Sequence, residues 1–244
     1  MLDYDVEAAR YDATRGGVPR AEAAAAAVLG LVPGTARTLL DIGCGTGLVT
    51  QRLNRPGLRV YGADASAGMA RVAAARVGPR IVLADVGQLP FPVESLDAVS
   101  AVWLLHLARN TAHLIVAEAA RVLKPGGVFI ATVDKDVAHD VGSDIDTLLT
   151  PHRTGTASDQ AGLIESYAAR HGLTPVAEAH FRGHGQGRTP LAAADTVRRG
   201  RFTSWLTLTG PPAEQLAASL AALPDPERPR ADPEYRLLAL RKGA

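Results

Sequence analysis

Residues 39–48, LLDIGCGTGL, pass from an apolar run into a turn that has glycine at positions 43, 45 and 47. Because glycine has no side chain, three alternating glycines allow a ligand to lie against bare backbone at the end of a strand. The same stretch also fits a tight strand-to-helix turn without a ligand, which many nucleotide-binding folds contain. The loop therefore predicts an α/β fold but does not by itself specify what binds there.

The chain around this loop alternates between short apolar runs and helical stretches, from Thr38 to Val133. Such alternation is typical of a parallel sheet built from strand–helix–strand units. The predicted strands of this part are Thr38–Ile42, Arg59–Ala63, Arg80–Ala84, Leu96–Val102 and Val128–Val133. The predicted helices are Leu48–Asn54, Ala67–Val77 and Thr111–Leu123, and a Lys-Pro-Gly-Gly turn at 124–127 is expected to end the last of them.

Further elements are predicted on both sides of this core. Upstream, the helices Tyr4–Ala13 and Arg20–Leu31 form too short a segment for a domain and are expected to make a cover. Downstream, the pattern predicts the helices Gln160–His171, Leu191–Arg199 and Pro212–Leu223 and the strands Thr174–His180 and Glu234–Leu240. The proline-rich segment 224–233 is expected to be an extended surface loop.

The composition argues against several classes of protein. Lys and Arg number 26 against 25 Asp and Glu, with no basic run, so nucleic acid is not expected as a partner. The single cysteine, Cys44, cannot form an intramolecular disulfide or supply a cysteine cluster for zinc. No segment reads as an export signal or as a membrane span. We therefore expect a cytoplasmic protein that does not associate with membranes.

Acidic residues follow the first three predicted strands at or near their carboxyl ends. Asp41 lies at the end of the first strand, Asp64 at the end of the second and Asp85 at the end of the third. Ligands of open α/β sheets bind at this edge, and an acidic residue about twenty positions beyond the glycine loop can accept hydrogen bonds from both hydroxyls of a ribose. One such carboxylate could be a helix cap, but three at successive strand ends favour a nucleotide-like ligand.

The segment Asp41–Gly47, DIGCGTG, resembles the first motif of the class I S-adenosylmethionine-dependent methyltransferases, in particular their small-molecule and ubiquinone/menaquinone-biosynthesis branches. The resemblance covers Tyr4 to Val133. It implies a Rossmann-like α/β fold: a seven-stranded, mostly parallel sheet with helices on both faces, an antiparallel last strand and a helical cap. We expect one domain over 1–244, with an N-terminal cover (1–34), a cofactor-binding core (35–135) and acceptor-side insertions at 136–159 and 181–232.

The resemblance also implies which residues bind S-adenosylmethionine and its product S-adenosylhomocysteine. The glycines would line the methionine and ribose parts, Asp41 would hold the methionine amino group, and Asp64 would bind the ribose. The adenine would contact Asp85, the Val86 backbone and the Met69 side chain. The complete expected set is Tyr11, Arg15, Asp41, Gly43, Cys44, Gly45, Thr46, Gly47, Asp64, Ala65, Met69, Asp85, Val86, Ala101 and Val102, with Tyr11 or Arg15 near the methionine carboxylate.

The acceptor is expected to be a small organic molecule that is methylated on O, N or C, without a metal. His106 follows the fourth strand at the ligand edge and is the candidate base, since histidine titrates near neutral pH; a packing role for it is the alternative. Trp103 could belong to the core or to the pocket, and Leu104 is expected in the core. The mixed cationic and aromatic segment 198–205 could bind a carboxylate, a phosphate or a ring. The sequence leaves open whether the protein is a monomer or a homodimer.

Two other functions use similar loops. A nicotinamide-dependent oxidoreductase has the spacing G-x-G-x-x-G, whereas the third glycine here comes one residue early. A protein could also bind S-adenosylmethionine without transferring its methyl group. Product analysis separates the second alternative from methyl transfer, and a nicotinamide titration tests the first.

Overall fold

The computed structural model describes residues 3–153, 157–200, 206 and 208–243. Its strands are β1 (Thr38–Ile42), β2 (Arg59–Asp64), β3 (Ile81–Leu83), β4 (Leu96–Ala101), β5 (Leu123–Val133), β6 (Leu173–Arg182) and β7 (Glu234–Lys242). Its helices are α1 (Tyr4–Glu7), α2 (Tyr11–Thr14), α3 (Gly17–Leu31), α4 (Ala67–Val77), α5 (Ala112–Val122), α6 (Asp144–Leu149), α7 (Ala161–Ala169), α8 (Pro190–Arg198) and α9 (Pro211–Ala221). Short 3₁₀ turns cover Thr50–Arg52, Leu105–Leu107 and Thr150–His152.

The strands form one seven-stranded sheet in the order β3-β2-β1-β4-β5-β7-β6. The first five strands pair in parallel, and β7 pairs antiparallel with both β5 and β6. The strand order reverses between β1 and β4, so the connections after these two strands leave on opposite sides and open a crevice at their carboxyl ends. The predicted fold class, including the antiparallel last strand, is confirmed.

Helices cover both faces of the sheet because the strand side chains alternate between them. On one face, Leu40 and Phe129 pack in a cluster with Val116 of α5 and Ile164 of α7. On the other face, Leu39 and Ile130 pack in a cluster with the alanine-rich helix α3. A third, smaller cluster joins α6, α8 and α9, and that these helices form the cap over the acceptor stays a prediction.

Three local predictions were wrong. The helix expected at Leu48–Asn54 is only the turn Thr50–Arg52, a stretch too short to offset the cost of helix nucleation. The helix expected at Tyr4–Ala13 is split into α1 and α2, which hydrogen-bond to different parts of the core. Helix α6 lies in a segment for which no helix was predicted. Among the described residues, none of the helices has the length and apolar character needed to cross a bilayer.

Candidate functional site

The glycine loop after β1 has the strained geometry that only glycine tolerates well. Gly43, Gly45 and Gly47 all have positive φ angles, of 65°, 55° and 74°. A Cβ atom on Gly45 would meet nothing within 4 Å, and this residue lines a cavity at the carboxyl ends of the strands. A Cβ on Gly47 would instead lie 3.0 Å from the Cβ of Ala73 in α4. Gly45 therefore keeps space free for a ligand, whereas Gly47 allows the loop to pack against a helix.

Asp64 connects the glycine loop to the end of β2. Its Oδ2 atom accepts a hydrogen bond from the Gly45 N–H at 2.7 Å, and its Oδ1 atom accepts one from the Ser66 N–H at 2.9 Å. Each carboxylate oxygen can accept a further bond. The carboxylate lines the cavity and is oriented by these backbone donors before any ligand binds.

Asp41 is buried beneath the same loop. Its two oxygens accept hydrogen bonds from the hydroxyls of Thr50 (2.6 Å) and Ser100 (2.8 Å). Burial nevertheless dominates and raises the pKa of this carboxyl to about 6. Since Asp41 also lines the cavity, a cation placed beside it would stabilise its charged form.

Two acidic side chains hold the N-terminal helices α1 and α2 against the carboxyl ends of the strands by hydrogen bonds. Asp12 accepts hydrogen bonds from the Thr46 hydroxyl (2.6 Å) and from Arg76 Nη2 (2.8 Å). Asp5 accepts hydrogen bonds from the Ser66 hydroxyl (2.6 Å) and the Gly68 N–H (2.7 Å) at the start of α4. These contacts close a cavity between α1–α3 and the carboxyl ends of β1, β2 and β4.

Most of the residues expected to bind a cofactor line this cavity: Tyr11, Arg15, Asp41, Gly43, Cys44, Gly45, Thr46, Asp64, Ala65, Met69, Val86 and Val102. Gly47, Asp85 and Ala101 do not line it. Asp85 is exposed, and its Oδ1 atom accepts a hydrogen bond from the Gly87 N–H at 2.8 Å. Which atom of a cofactor each residue contacts stays a prediction.

Several other lining residues were not assigned to the cofactor from the sequence: Tyr4, Asp12, Gly17, Arg20, Ala21, Leu48, Val49, Ser66, Trp103, Leu104 and Leu107. Leu104 both packs against the core and faces the cavity. Arg20 is the only cation of α3 and lies beside an alanine run, which is a sequence signal that could have identified it.

His106 lies in the turn after β4 and does not line the cavity. Its Nδ1 atom is buried without a hydrogen-bond partner among the described residues. Burial, together with the positive charge of Lys135, lowers the pKa of the imidazole to about 3. The ring is therefore uncharged at neutral pH.

One histidine and several arginines of the two expected insertions have partners within the protein. His139 lies 3.2 Å from the Tyr235 hydroxyl, and Arg153, Arg182 and Arg188 form salt bridges with Asp146, Asp232 and Asp140. Within the segment 198–205, Arg198 and Arg199 pair with Glu214 and Asp195, and residues 201–205 lie outside the described part of the chain. In the described ranges, no group of three His, Cys, Asp or Glu side chains could hold a metal ion.

Residues 40–131 match a family described as a methyltransferase domain. The demethylmenaquinone methyltransferase of Tropheryma whipplei is 38% identical over 112 residues, which are 43% of this chain and 44% of that protein. The enzyme of the same name from Mycolicibacterium paratuberculosis is 34% identical over 129 residues, 51% of this chain and 54% of that protein. The chain thus spans about half the length of the curated relatives it matches.

The crystal structure of the cyclase SpnF superposes with a TM-score of 0.60 at 20% identity and covers 99% of this chain and 94% of that one. At this identity the likeness concerns the fold alone. It extends over nearly the whole chain, including the parts outside the matched family segment.

Proposed function

Residues 40–131 belong to the methyltransferase-domain family, which confirms the resemblance to class I methyltransferases, and on this premise we propose that the chain binds S-adenosylmethionine and transfers its methyl group to a small organic acceptor. The observation that carries the proposal is the covered cavity in which the open glycine loop, Asp41 and Asp64 meet at the carboxyl ends of β1 and β2. We include in the proposal a single domain and a cytoplasmic location. Acceptor contacts from 136–159 and 181–232 stay a prediction, and no described residue of these segments lines the cavity.

In this proposal each wall of the cavity holds one part of the cofactor. Asp64 accepts hydrogen bonds from the ribose hydroxyls, and Met69 and Val86 pack against the adenine. Asp41 faces the methionine amino group, and Arg15 or Tyr11 faces the carboxylate. When bound, S-adenosylmethionine supplies an electrophilic methyl group on its sulfonium. The protein then contributes mainly by orienting the acceptor, and such alignment can lower a barrier by about 7–11 kcal/mol.

The proposal is tested by mass-spectrometric detection of S-adenosylhomocysteine and methylated product when the purified chain is incubated with S-adenosylmethionine and panels of phenols, amines and carboxylic acids. We expect stoichiometric formation of both products with at least one acceptor class. Binding of the cofactor without either product would favour a non-methylating enzyme, and this control matters because the SpnF neighbour is named a cyclase. Saturable binding of a nicotinamide dinucleotide in place of the cofactor would favour the oxidoreductase alternative.

The raised pKa of Asp41 predicts that removing its charge increases the stability of the fold and weakens ligand binding. In the unfolded chain the carboxyl titrates near 3.8, and in the folded chain near 6. Between these values only the folded state holds the proton, so the contribution of Asp41 to stability falls as the pH rises through this window. Above pH 6 the cost is about 3 kcal/mol, because one pKa unit corresponds to about 1.4 kcal/mol.

We therefore expect Asp41→Asn to raise the free energy of unfolding by about 1–3 kcal/mol near pH 7.5 and to change it little near pH 4. The same variant should bind S-adenosylhomocysteine more weakly, because it cannot supply a negative charge to the amino group. Urea denaturation at both pH values and calorimetry measure the two effects. A variant that is less stable near pH 7.5, or that binds the ligand as the wild type does, would contradict this account of Asp41.

We propose His106 as the base for acceptors that arrive protonated. Its ring does not line the cavity, whereas Leu104 and Leu107 on either side of it do, so this role requires that the turn Leu105–Leu107 brings the ring to the acceptor. Its uncharged imidazole can accept a proton, but its low pKa makes it a weak base, so the expected loss of kcat in His106→Gln is at the lower end of such effects, about 100-fold. The affinity for S-adenosylhomocysteine should stay unchanged. Steady-state kinetics on the acceptor found in the product assay measure this; weaker cofactor binding with an unchanged kcat would show a packing role instead.

A further inference from the structure

We propose that Arg20 binds a carboxylate of the methyl acceptor, and this inference rests on the proposed function. Arg20 lies in α3 and lines the cavity together with Trp103. A carboxylic acid whose charged group contacts Arg20 would be oriented toward the part of the cavity beyond the glycine loop. The substrate class is thus a small organic molecule that bears one carboxylate.

The guanidinium of Arg20 is held in place by stacking. Its Cζ atom lies 3.4 Å from the centre of the Trp103 ring, and Tyr235 lies beyond at 5.8 Å. Trp103 packs edge-on against Phe181 and Tyr235, and these contacts fix the orientation of its ring. Trp103 itself has a φ of 54°, an uncommon value for a bulky residue that occurs most often at functional sites. The charged group is therefore oriented before a ligand arrives.

The charge of Arg20 is not neutralised by the protein. Only 6% of the residue is exposed, yet no carboxylate of the described residues forms a salt bridge with it, and the residues outside the description include no Asp or Glu. Its Nη1 atom donates to the Arg15 carbonyl oxygen at 3.0 Å, and its guanidinium also hydrogen-bonds to the uncharged Tyr235 side chain, while its Nε atom has no hydrogen-bond partner in the described chain. Burying an unpaired charge costs several kcal/mol, and an incoming anion would remove most of this cost.

The charges around the cavity indicate that this anion is the acceptor and carries one negative charge. Among the described lining residues, Asp12 is paired with Arg76, which leaves Arg15 and Arg20 against Asp41 and Asp64, a sum of zero. S-adenosylmethionine carries a sulfonium, an ammonium and one carboxylate, a sum of +1. One of the two arginines suffices for that carboxylate. The cavity and the cofactor together thus carry one net positive charge, and this charge matches a single carboxylate on the second arginine better than a doubly charged phosphate.

The inference is tested with benzoate and benzamide as matched probes that differ in charge. Trp205→Phe leaves Trp103, which lies under Arg20, as the only tryptophan, so its fluorescence reports binding at this place. The titrations are made with saturating sinefungin, an analogue whose amine replaces the methylated sulfonium. We expect benzoate to bind at least about tenfold more tightly than benzamide, and Arg20→Met to abolish this preference.

Two further variants serve as controls for the loss of the benzoate preference in Arg20→Met. Arg80→Met, at an exposed position before β3 on the opposite edge of the sheet, should keep the preference for benzoate. Arg20→Lys keeps the charge but not the planar fork and should lose part of the preference, which decides the matter if Arg20→Met does not fold. Equal binding of benzoate and benzamide by the parent protein, or a preference that survives at Arg20→Met, would overturn the inference.

A second titration separates the acceptor from the cofactor. Arg20→Met is expected to change the affinities for S-adenosylhomocysteine and for its decarboxylated analogue by less than about twofold. A loss confined to the ligand that has the carboxylate would assign Arg20 to the cofactor and overturn the inference. Failure of the parent protein to bind sinefungin or S-adenosylhomocysteine at all would instead overturn the proposed function.

Discussion

Replacing Asp64 by alanine is expected to lower the affinity for S-adenosylhomocysteine by at least about 100-fold. In the proposed function the variant loses the acceptor for two ribose hydroxyls, and hydrogen bonds to a charged group contribute about 1.5–3 kcal/mol each. It also releases the Gly45 N–H and the Ser66 N–H, which the carboxylate now holds at 2.7 and 2.9 Å. A 100-fold loss corresponds to about 2.7 kcal/mol. Isothermal titration calorimetry measures it directly.

The matched control is Asp195→Ala, which removes an exposed carboxylate of α8 that pairs with Arg199 outside the cavity. Its affinity should equal that of the wild type. The loss of affinity at Asp64→Ala should also shrink when the ligand lacks the 2′ and 3′ hydroxyls. Such a ligand cannot hydrogen-bond to Asp64 in the wild type either, so the substitution removes nothing from it. An Asp64→Ala protein that folds and binds the full ligand normally would exclude the ribose role.

Valine at position 45 and valine at position 47 are expected to fail in different ways. Both residues have positive φ, so each substitution strains the backbone by about 1–2 kcal/mol. The added side chain at position 45 enters open space that belongs to the cavity, so Gly45→Val should reduce ligand affinity by about 100-fold while the protein stays folded. At position 47 it meets Ala73 of α4 at 3.0 Å, so Gly47→Val should be less stable than Gly45→Val by about 1–3 kcal/mol.

Thermal unfolding of both variants, followed by calorimetry with S-adenosylhomocysteine, separates these effects. The two variants are expected to differ because a Cβ atom would point into the cavity at position 45 and toward α4 at position 47. If Gly45→Val bound the ligand as tightly as the wild type, the ligand would not lie against this part of the loop. If Gly47→Val were as stable as Gly45→Val, the packing of the loop on α4 would be less tight than the distance indicates.

The sheet and the helix α4 were predictable because each has a strong local signal. The strand β1 combines an apolar run with a glycine turn, and Ala67–Val77 has Ser66 as its N-cap and Gly78 after its last residue. The helix expected after the glycine loop is reduced to the turn Thr50–Arg52, in which the Thr50 hydroxyl donates to Asp41. Local propensity does not reveal this contact.

The least predictable part of the candidate site is the contact between Arg20 and Trp103. The two residues are 83 positions apart, and they meet only because α3 packs across the sheet near the end of β4. Likewise, nothing in the sequence separates Gly45 from Gly47, although one faces the cavity and the other faces a helix. Asp64 and Asp85 also look equivalent at two strand ends, yet of the two only Asp64 lines the cavity.

The most direct measurement is calorimetric titration of the folded chain with S-adenosylmethionine and, separately, with S-adenosylhomocysteine. The account predicts saturable one-to-one binding of both ligands, with at least about 100-fold weaker binding of both by Asp64→Ala. A protein that is folded by circular dichroism and gives no binding heat with either ligand at several temperatures would contradict it.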